Sequence, residues 1–252
     1  MTIQAADKAR FDAAYDEHIL AREFVEYADY YTHSRRRYWR TYQQVMRLGL
    51  TEGTTVLEVG GGQMAILLSK LHGLPASAAD VNDRPQRDLA DAGLGFEIAD
   101  LYTGRMPDRR YGLVICLEVI EHIPVPPSIV LERLAAVTEP GGHLFLTTPN
   151  GMRLRNILYL AAGKEVLDLY RYPEEGQGLG HQHEYTLRQM LWQAERANLD
   201  VRFAEQADVA WDGGSRGARL MRLATMPFNV VPHLRENLVL AATPRTEPAG
   251  SD

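Results

Sequence analysis

The sequence predicts an α/β domain built on a doubly wound sheet of seven strands with helices on both faces. Three observations predict it. Short β-branched or apolar runs alternate with longer stretches of helical periodicity, the pattern of a parallel sheet. Three successive glycines, Gly60, Gly61 and Gly62, close the first such run and open a helix. Acidic residues (Glu58, Asp80 and Asp100) stand at the ends of the first three strands, so that they converge on one crevice.

Composition bounds the function. A chain of 252 residues suits one large domain. Its net charge of −6 argues against general affinity for nucleic acid or anionic membrane and favours a small-molecule substrate. The one cysteine, Cys116, excludes an intramolecular disulfide and lies in an apolar run, where it reads as core. No apolar run reaches the ~18 residues of a membrane span and no signal-peptide pattern opens the chain. No stable membrane insertion and a cytoplasmic location are therefore expected.

Residues 1–50 read as a helical segment of their own. Phe11 to Leu48 carries Phe11, Tyr15, Phe24, Tyr27, Tyr30, Tyr31, Tyr38, Trp39 and Tyr42, with Arg35, Arg36, Arg37 and Arg40 among them. One reading is an amphipathic pair covering a sheet edge with a solvated basic face. The other is a lid, with Tyr30, Tyr31 or Arg37 reaching a ligand.

Thr55 to Val59 is the first strand, and the glycine turn after it aims backbone N–H groups at a polar ligand from a helix N-terminus. Glu58, Gly60 and Gly62 form Glu-x-Gly-x-Gly, and Met64 stands where a dinucleotide fold has its third glycine. This resembles the first motif of the class I S-adenosylmethionine-dependent methyltransferases. A carboxylate there suits a cofactor with an ammonium and a sulfonium and would repel a pyrophosphate. The plain alternative is a tight turn with a solvated glutamate.

A helix over Met64 to His72 leads to a second strand, Leu74 to Ala79, that ends at Asp80. Asp80 stands about 20 residues beyond Gly60, the offset of an acid that accepts ribose hydroxyls. Asn82 or Asp83 can cap the next helix. Phe96 to Ala99 is a third strand, ending at Asp100. The resemblance implies that Val81 and Leu101, which follow these acids, are cofactor contacts too.

The fourth strand, Gly112 to Leu117, runs into Glu118-Val119-Ile120-Glu121-His122-Ile123-Pro124. This is similar to the post-strand motif of the methyltransferases of ubiquinone biosynthesis and of many natural products. The resemblance implies that Glu118 lies near the amino-acid end of the cofactor and His122 at the floor of the active site. On its residues alone, His122 is equally a catalytic imidazole or a structural one that orders a water. Pro126 to Val137 reads as a helix and His143 to Thr148 as the fifth strand, so that the resemblance covers Thr54 to Asn150. Met64, expected to crowd the glycine turn, and Gly112, where relatives usually carry an acid, depart from the pattern.

Beyond Gly151 the rhythm breaks. An insertion at about 151–183 holds a helix around Leu154 to Ala161, a short helix at Val166 to Tyr170 and a glycine-rich loop at Glu174 to Gly180. It is expected to cover the crevice mouth and select the substrate. His181 and His183 follow, with Glu184; their spacing fits neither a helical nor a cysteine-rich zinc site. They read as a general base or a substrate contact, or else as a loop cap. Thr186 and Gln189 form a capping box for the next helix. Asp200 to Ala207 and Asn237 to Ala242 are the last strands, separated by Trp211 to Gly214, a basic apolar helix at Arg219 to Leu223, and Met226-Pro227-Phe228. That apolar stretch fits a homodimer contact, a membrane-facing patch or a pocket wall.

The resemblance therefore implies a Rossmann-like domain over 51–252 preceded by a helical lid. It implies methyl transfer from S-adenosyl-L-methionine to a small-molecule acceptor, with oxygen favoured because His122, His181 and His183 are available as bases, and with no metal needed. A nicotinamide-dependent oxidoreductase and a non-catalytic cofactor-binding protein are the alternatives.

Overall fold

The computed structural model describes residues 1–22, 28–167, 180–209, 220, 223 and 226–245. Its seven strands are β1 (Val56–Val59), β2 (Ala76–Asp80), β3 (Gly95–Ile98), β4 (Tyr111–Leu117), β5 (Thr138–Pro149), β6 (Leu199–Ala207) and β7 (Asn237–Pro244). They form one sheet in the order β3-β2-β1-β4-β5-β7-β6. The helices are α1 (Lys8–Tyr15), α2 (Ala28–Met46), α3 (Gln63–His72), α4 (Gln86–Asp91), α5 (Pro127–Ala136), α6 (Leu154–Ala161) and α7 (Leu187–Arg196).

The first five strands pair in parallel, as expected, but β7 lies antiparallel between β5 and β6. The expectation of a parallel sheet fails there for a physical reason. Asn237 to Ala242 are all buried, and a continuous buried run reads as a parallel strand whichever way it points. A parallel neighbour needs a crossover back to the same end of the sheet, whereas β7 pairs directly with the strand before it.

Side chains alternate between two cores. Val56, Leu113, Ile115, Phe145, Val239 and Ala241 face one layer, which includes α3. Leu57, Val114, Cys116, Leu144, Leu146 and Leu240 face the other, with residues of α5 and α7. The capping box forms as its spacing required: Thr186 Oγ1 accepts from Gln189 N, and Gln189 Oε1 accepts from Thr186 N.

The N-terminal helices are built into the first core. Phe11, Tyr15, Ile19, Tyr42 and Val45 have no exposed surface. Phe11 packs 5.0 Å from Trp39 and 5.3 Å from Tyr42, ring to ring. The Tyr42 hydroxyl accepts the Ala6 N–H at 2.6 Å and lies 2.9 Å from His72 Nε2. The arginines of α2 have acidic partners: Arg35 pairs with Asp16, Arg36 and Arg40 with Asp208, and Arg37 with Glu118. Met64 does not crowd the glycine turn: it packs into the first core, and the atoms nearest a Cβ at Gly60, Gly61 or Gly62 belong to other residues.

In the insertion, α6 forms where the periodicity placed it. Val166 and Leu167 are in a bend, not a helix, and 168–179 lie outside the described residues, as do Trp211 to Gly214 and most of Arg219 to Leu223. No helix among the described residues is long and apolar enough to cross a membrane. Truncating a fully buried phenylalanine costs about 3–5 kcal/mol. Phe11→Ala should therefore lower the urea-unfolding free energy by about that amount, whereas a detachable cover would lose almost nothing.

Candidate active site

The crevice opens where the strand order reverses, between β1 and β4, at the carboxyl ends of the strands. β1 leads into the turn Gly60-Gly61-Gly62 and thence into α3. Gly60 has φ +81°, and a Cβ there would sit 2.5 Å from a Val119 methyl, so only glycine fits. Glu58 is buried beneath the turn, and its Oε2 accepts the Ala65 N–H at 2.7 Å. Its carboxylate thus serves as an N-terminal cap of α3, supplied from the neighbouring strand. Burial pushes its pKa up to about 7, outweighing the N–H donors of Ala65, Met64 and Gly62.

Asp80 ends β2. Its Oδ1 accepts from the backbone and side-chain amides of Asn82 at 3.3 and 3.4 Å, and burial raises its pKa. Val81 beside it is 61% exposed, an apolar platform at the strand end. An open cleft of about 840 Å³ starts there, lined by Val81, Asn82, Phe96, Ile98, Arg105 and Met106. Asp100 follows β3 and turns its carboxylate onto its own loop, accepting from Tyr102 N, Thr103 N and Thr103 Oγ1 at 2.8, 3.2 and 2.7 Å. The Leu101 side chain is buried in the second core, so it offers the crevice backbone only.

On the β4 side, Glu118 has φ +55°, uncommon for a residue with a side chain. Its Oε1 accepts from Thr147 Oγ1 at 2.7 Å, and Asn237 Nδ2 reaches both its oxygens at 3.1 and 2.9 Å. Arg37 Nη2 lies 3.7 Å from Glu118 Oε2, and Arg37 Nη1 donates to the Tyr30 hydroxyl at 3.2 Å. Burial works against the charge of Arg37, but Glu118 and the neighbouring tyrosines more than offset it and raise its pKa. The Tyr31 hydroxyl accepts from Gln63 Nε2 at 2.8 Å, at the first residue of α3. Of the three residues expected from the N-terminal segment, Arg37 meets Glu118, Tyr30 meets Arg37 and Tyr31 meets Gln63.

Beyond Glu118, a short helical turn at Ile120–His122 carries Glu121 and His122. Glu121 is buried, and its Oε2 accepts from Thr148 Oγ1 at 3.0 Å. The end of the insertion docks onto this turn, since Gln182 N and His183 N donate to the Glu121 carbonyl at 2.8 and 3.4 Å. The rings of His181 and His122 thereby meet edge to face, 4.9 Å between centroids. His181 Nδ1 lies 3.0 Å from Glu184 Oε1. His183 instead is exposed, its ring 4.7 Å from Tyr185, and it does not join the pair.

Further residues shape the site. Glu184 is buried, with Arg153 Nη2 on Oε1 and Asn156 Nδ2 on Oε2 at 2.7 Å. Burial alone would raise its pKa, yet His181, Arg153, Asn156 and Arg155 together lower it, so it is ionised at neutral pH. Glu184 was visible beside the histidines; its partners at the start of α6 were not. Asn237 and Gln63 carried no local signal.

Residues 31–202 match the family described as the methyltransferase domain, and the chain belongs to that family. It is 27% identical over 122 residues to the ubiquinone biosynthesis O-methyltransferase of Coxiella burnetii (strain Dugway 5J108-111), covering 45% of this chain and 51% of that protein. It is 31% identical over 121 residues to the protein of the same name from Marinobacter nauticus (strain ATCC 700491 / DSM 11845 / VT8), covering 46% and 44%. The chain thus spans about half the length of the curated relatives it matches. Among solved structures, a methyltransferase of Methanosarcina mazei aligns with a TM-score of 0.57 at 15% identity, over 81% of this chain and 98% of that one. Phosphoethanolamine N-methyltransferase 2 of Haemonchus contortus, in complex with S-adenosyl-L-methionine, aligns at 0.55 and 13%, over 82% and 52%. The fold and the family place the chain among the class I S-adenosylmethionine-dependent methyltransferases, whose cofactor is S-adenosyl-L-methionine. The crevice fits that group: a turn closed at Gly60 and Gly62 to any residue but glycine, an acid at the end of β2 and an exposed apolar platform beside it.

Two outcomes follow. Asp80→Ala should weaken S-adenosylhomocysteine binding by roughly 1–3 kcal/mol in calorimetry, the range for hydrogen bonds to a charged acceptor. Glu58 binds its proton more tightly folded than unfolded, so its contribution to stability falls as pH rises from about 4.5 to about 7. Wild-type stability relative to Glu58→Gln, from urea titrations across that window, should fall with rising pH and level off above it.

Proposed function

We propose that the chain methylates an oxygen of a small-molecule acceptor. The observation that carries this reading is the His181–Glu184 pair, held where the insertion meets the turn after β4. When bound, S-adenosyl-L-methionine supplies a methyl group already activated on a sulfonium. What remains for the protein is to bring the acceptor close, exclude water and take a hydroxyl proton.

Asp80, Val81 and the glycine turn hold the adenosine half in this reading, with Asp100 and the Leu101 backbone at its far edge. Glu118 and Arg37, a charged pair beside the turn, hold the zwitterionic half. Tyr31 orders Gln63 at the first residue of α3. Glu184, ionised, keeps the proton of His181 on Nδ1 and leaves Nε2 as the basic atom. His122 packs against that ring and orients it. The names of the Coxiella and Marinobacter relatives support oxygen as the acceptor atom. Acceptor selection falls to the insertion, where Met152, Ile157, Leu158 and Leu160 expose apolar side chains suited to a substrate with an apolar body, such as a quinone-like aromatic or a polyketide. The lid role of residues 1–50 then reduces to Tyr30, Tyr31 and Arg37, since the buried aromatics tie the helices down.

Loss of a general base costs typically ~10² to 10⁴ in rate. His181→Ala should lose turnover on that scale while keeping its S-adenosylhomocysteine affinity, and His183→Ala should stay within a few-fold of wild type. Equal turnover in wild type and His181→Ala would mean that proximity alone suffices.

A further inference from the structure

We propose that Glu121, His122 and His181 form a binding site for a divalent transition-metal ion of the zinc type, with Glu184 as the outer partner of His181. One donor atom from each of the three residues lies within 4.8 Å of the others. Two imidazoles and one carboxylate, with a fourth position left open, make the donor set of catalytic zinc sites. Magnesium and calcium prefer more oxygen ligands.

Three observations independent of the clustering point to a cation. Glu121 Oε1 is buried and has no hydrogen-bond partner, although Oε2 is satisfied by Thr148. A buried carboxylate oxygen without a donor is costly, and a cation between it and His122 Nε2, 3.9 Å away, removes that cost. Second, His181 turns Nδ1 to Glu184, the carboxylate–histidine arrangement that fixes the orientation of a metal-binding imidazole. Third, the two segments that supply the ligands are fastened to each other by backbone, Gln182 N and His183 N on the Glu121 carbonyl. These bonds fix where His181 stands relative to Glu121 and His122. Bonds of about 2.1 Å require tetrahedral ligands to stand about 3.4 Å apart, so rotamer adjustments of about an ångström close the site.

The inference deepens the proposed function and, for its role in catalysis, rests on the reading that the acceptor oxygen enters beside His181. The open position of the ion would take that oxygen and stabilise it as its proton leaves to solvent; with the ion bound, His181 Nε2 is a ligand, and the ion replaces the free imidazole as the means of removing that proton.

The test uses the full chain, stripped with a chelator and titrated with cobalt(II) followed by its visible absorption, then with zinc in competition. The expected result is one cobalt ion per chain with the intense bands of a four-coordinate site, displaced by zinc. His181→Ala, His122→Asn and Glu121→Gln should each weaken cobalt binding at least 100-fold, and Glu184→Gln 10- to 100-fold, as for loss of an outer partner. His183→Ala should bind as wild type. Circular dichroism and S-adenosylhomocysteine binding identify any variant that has lost its fold, and the remaining ligand variants then decide. No saturation at one ion, or affinity unchanged in the folded ligand variants, overturns the inference. The two readings fail separately: methyl transfer that persists in a protein shown to bind no metal sinks the site alone, and stoichiometric metal binding without transfer to any oxygen acceptor sinks the reaction alone.

Discussion

One buried carboxylate, that of Glu184, joins the two ends of the insertion beside the turn after β4. Arg153 and Asn156 reach it from the start of the insertion and His181 from its end. The junction thus ties the residues before the insertion's middle to those after it. A buried ion pair is weak evidence for stability, but removing one partner typically costs ~3–5 kcal/mol because the other is left uncompensated. The pairing is therefore better understood as a device of position. The close approach it needs is visible at Gly151, where a Cβ would lie 2.8 Å from the Glu184 carbonyl oxygen.

The two halves of the crevice are built by different means. Around β1 and β2 the backbone does most of the shaping, and the Glu58 carboxylate is spent inside the structure on the first turn of α3. Around β4 the walls are charged side chains, held from neighbouring strands: Glu118 by Thr147 and Asn237, Glu121 by Thr148. A half-site of fixed backbone suits a constant cofactor.

Much of the fold could be read from the sequence because its signals are local. Strand and helix periodicities differ, glycine marks the turn after β1, and Thr186 and Gln189 announce the start of α7. The direction of β7 was hidden, since its fully buried run has no polar face to betray its neighbours. Glu58 was seen as a carboxylate beside glycines, but which N–H it serves depends on how α3 leaves the turn. The three histidines were singled out together, yet spacing along the chain could not say that His181 reaches His122 while His183 turns to Tyr185. Arg36 and Arg40 of α2 were read as ligands or solvent-facing charges, because their partner Asp208 lies far along the chain.

The position of β7 has a consequence for biosynthesis. A ribosome makes β1 to β5 first, and these strands could pair as they emerge, yet the edge of β5 stays open until β7 arrives. Asn237, the first residue of β7, is also what grips both oxygens of Glu118. A nascent chain halted before this strand would present an unpaired edge in the middle of its future sheet, with an incomplete wall beside the glycine turn. Cofactor binding by such a chain should arise late in synthesis and abruptly, and truncated products should be substrates for chaperones rather than partial enzymes.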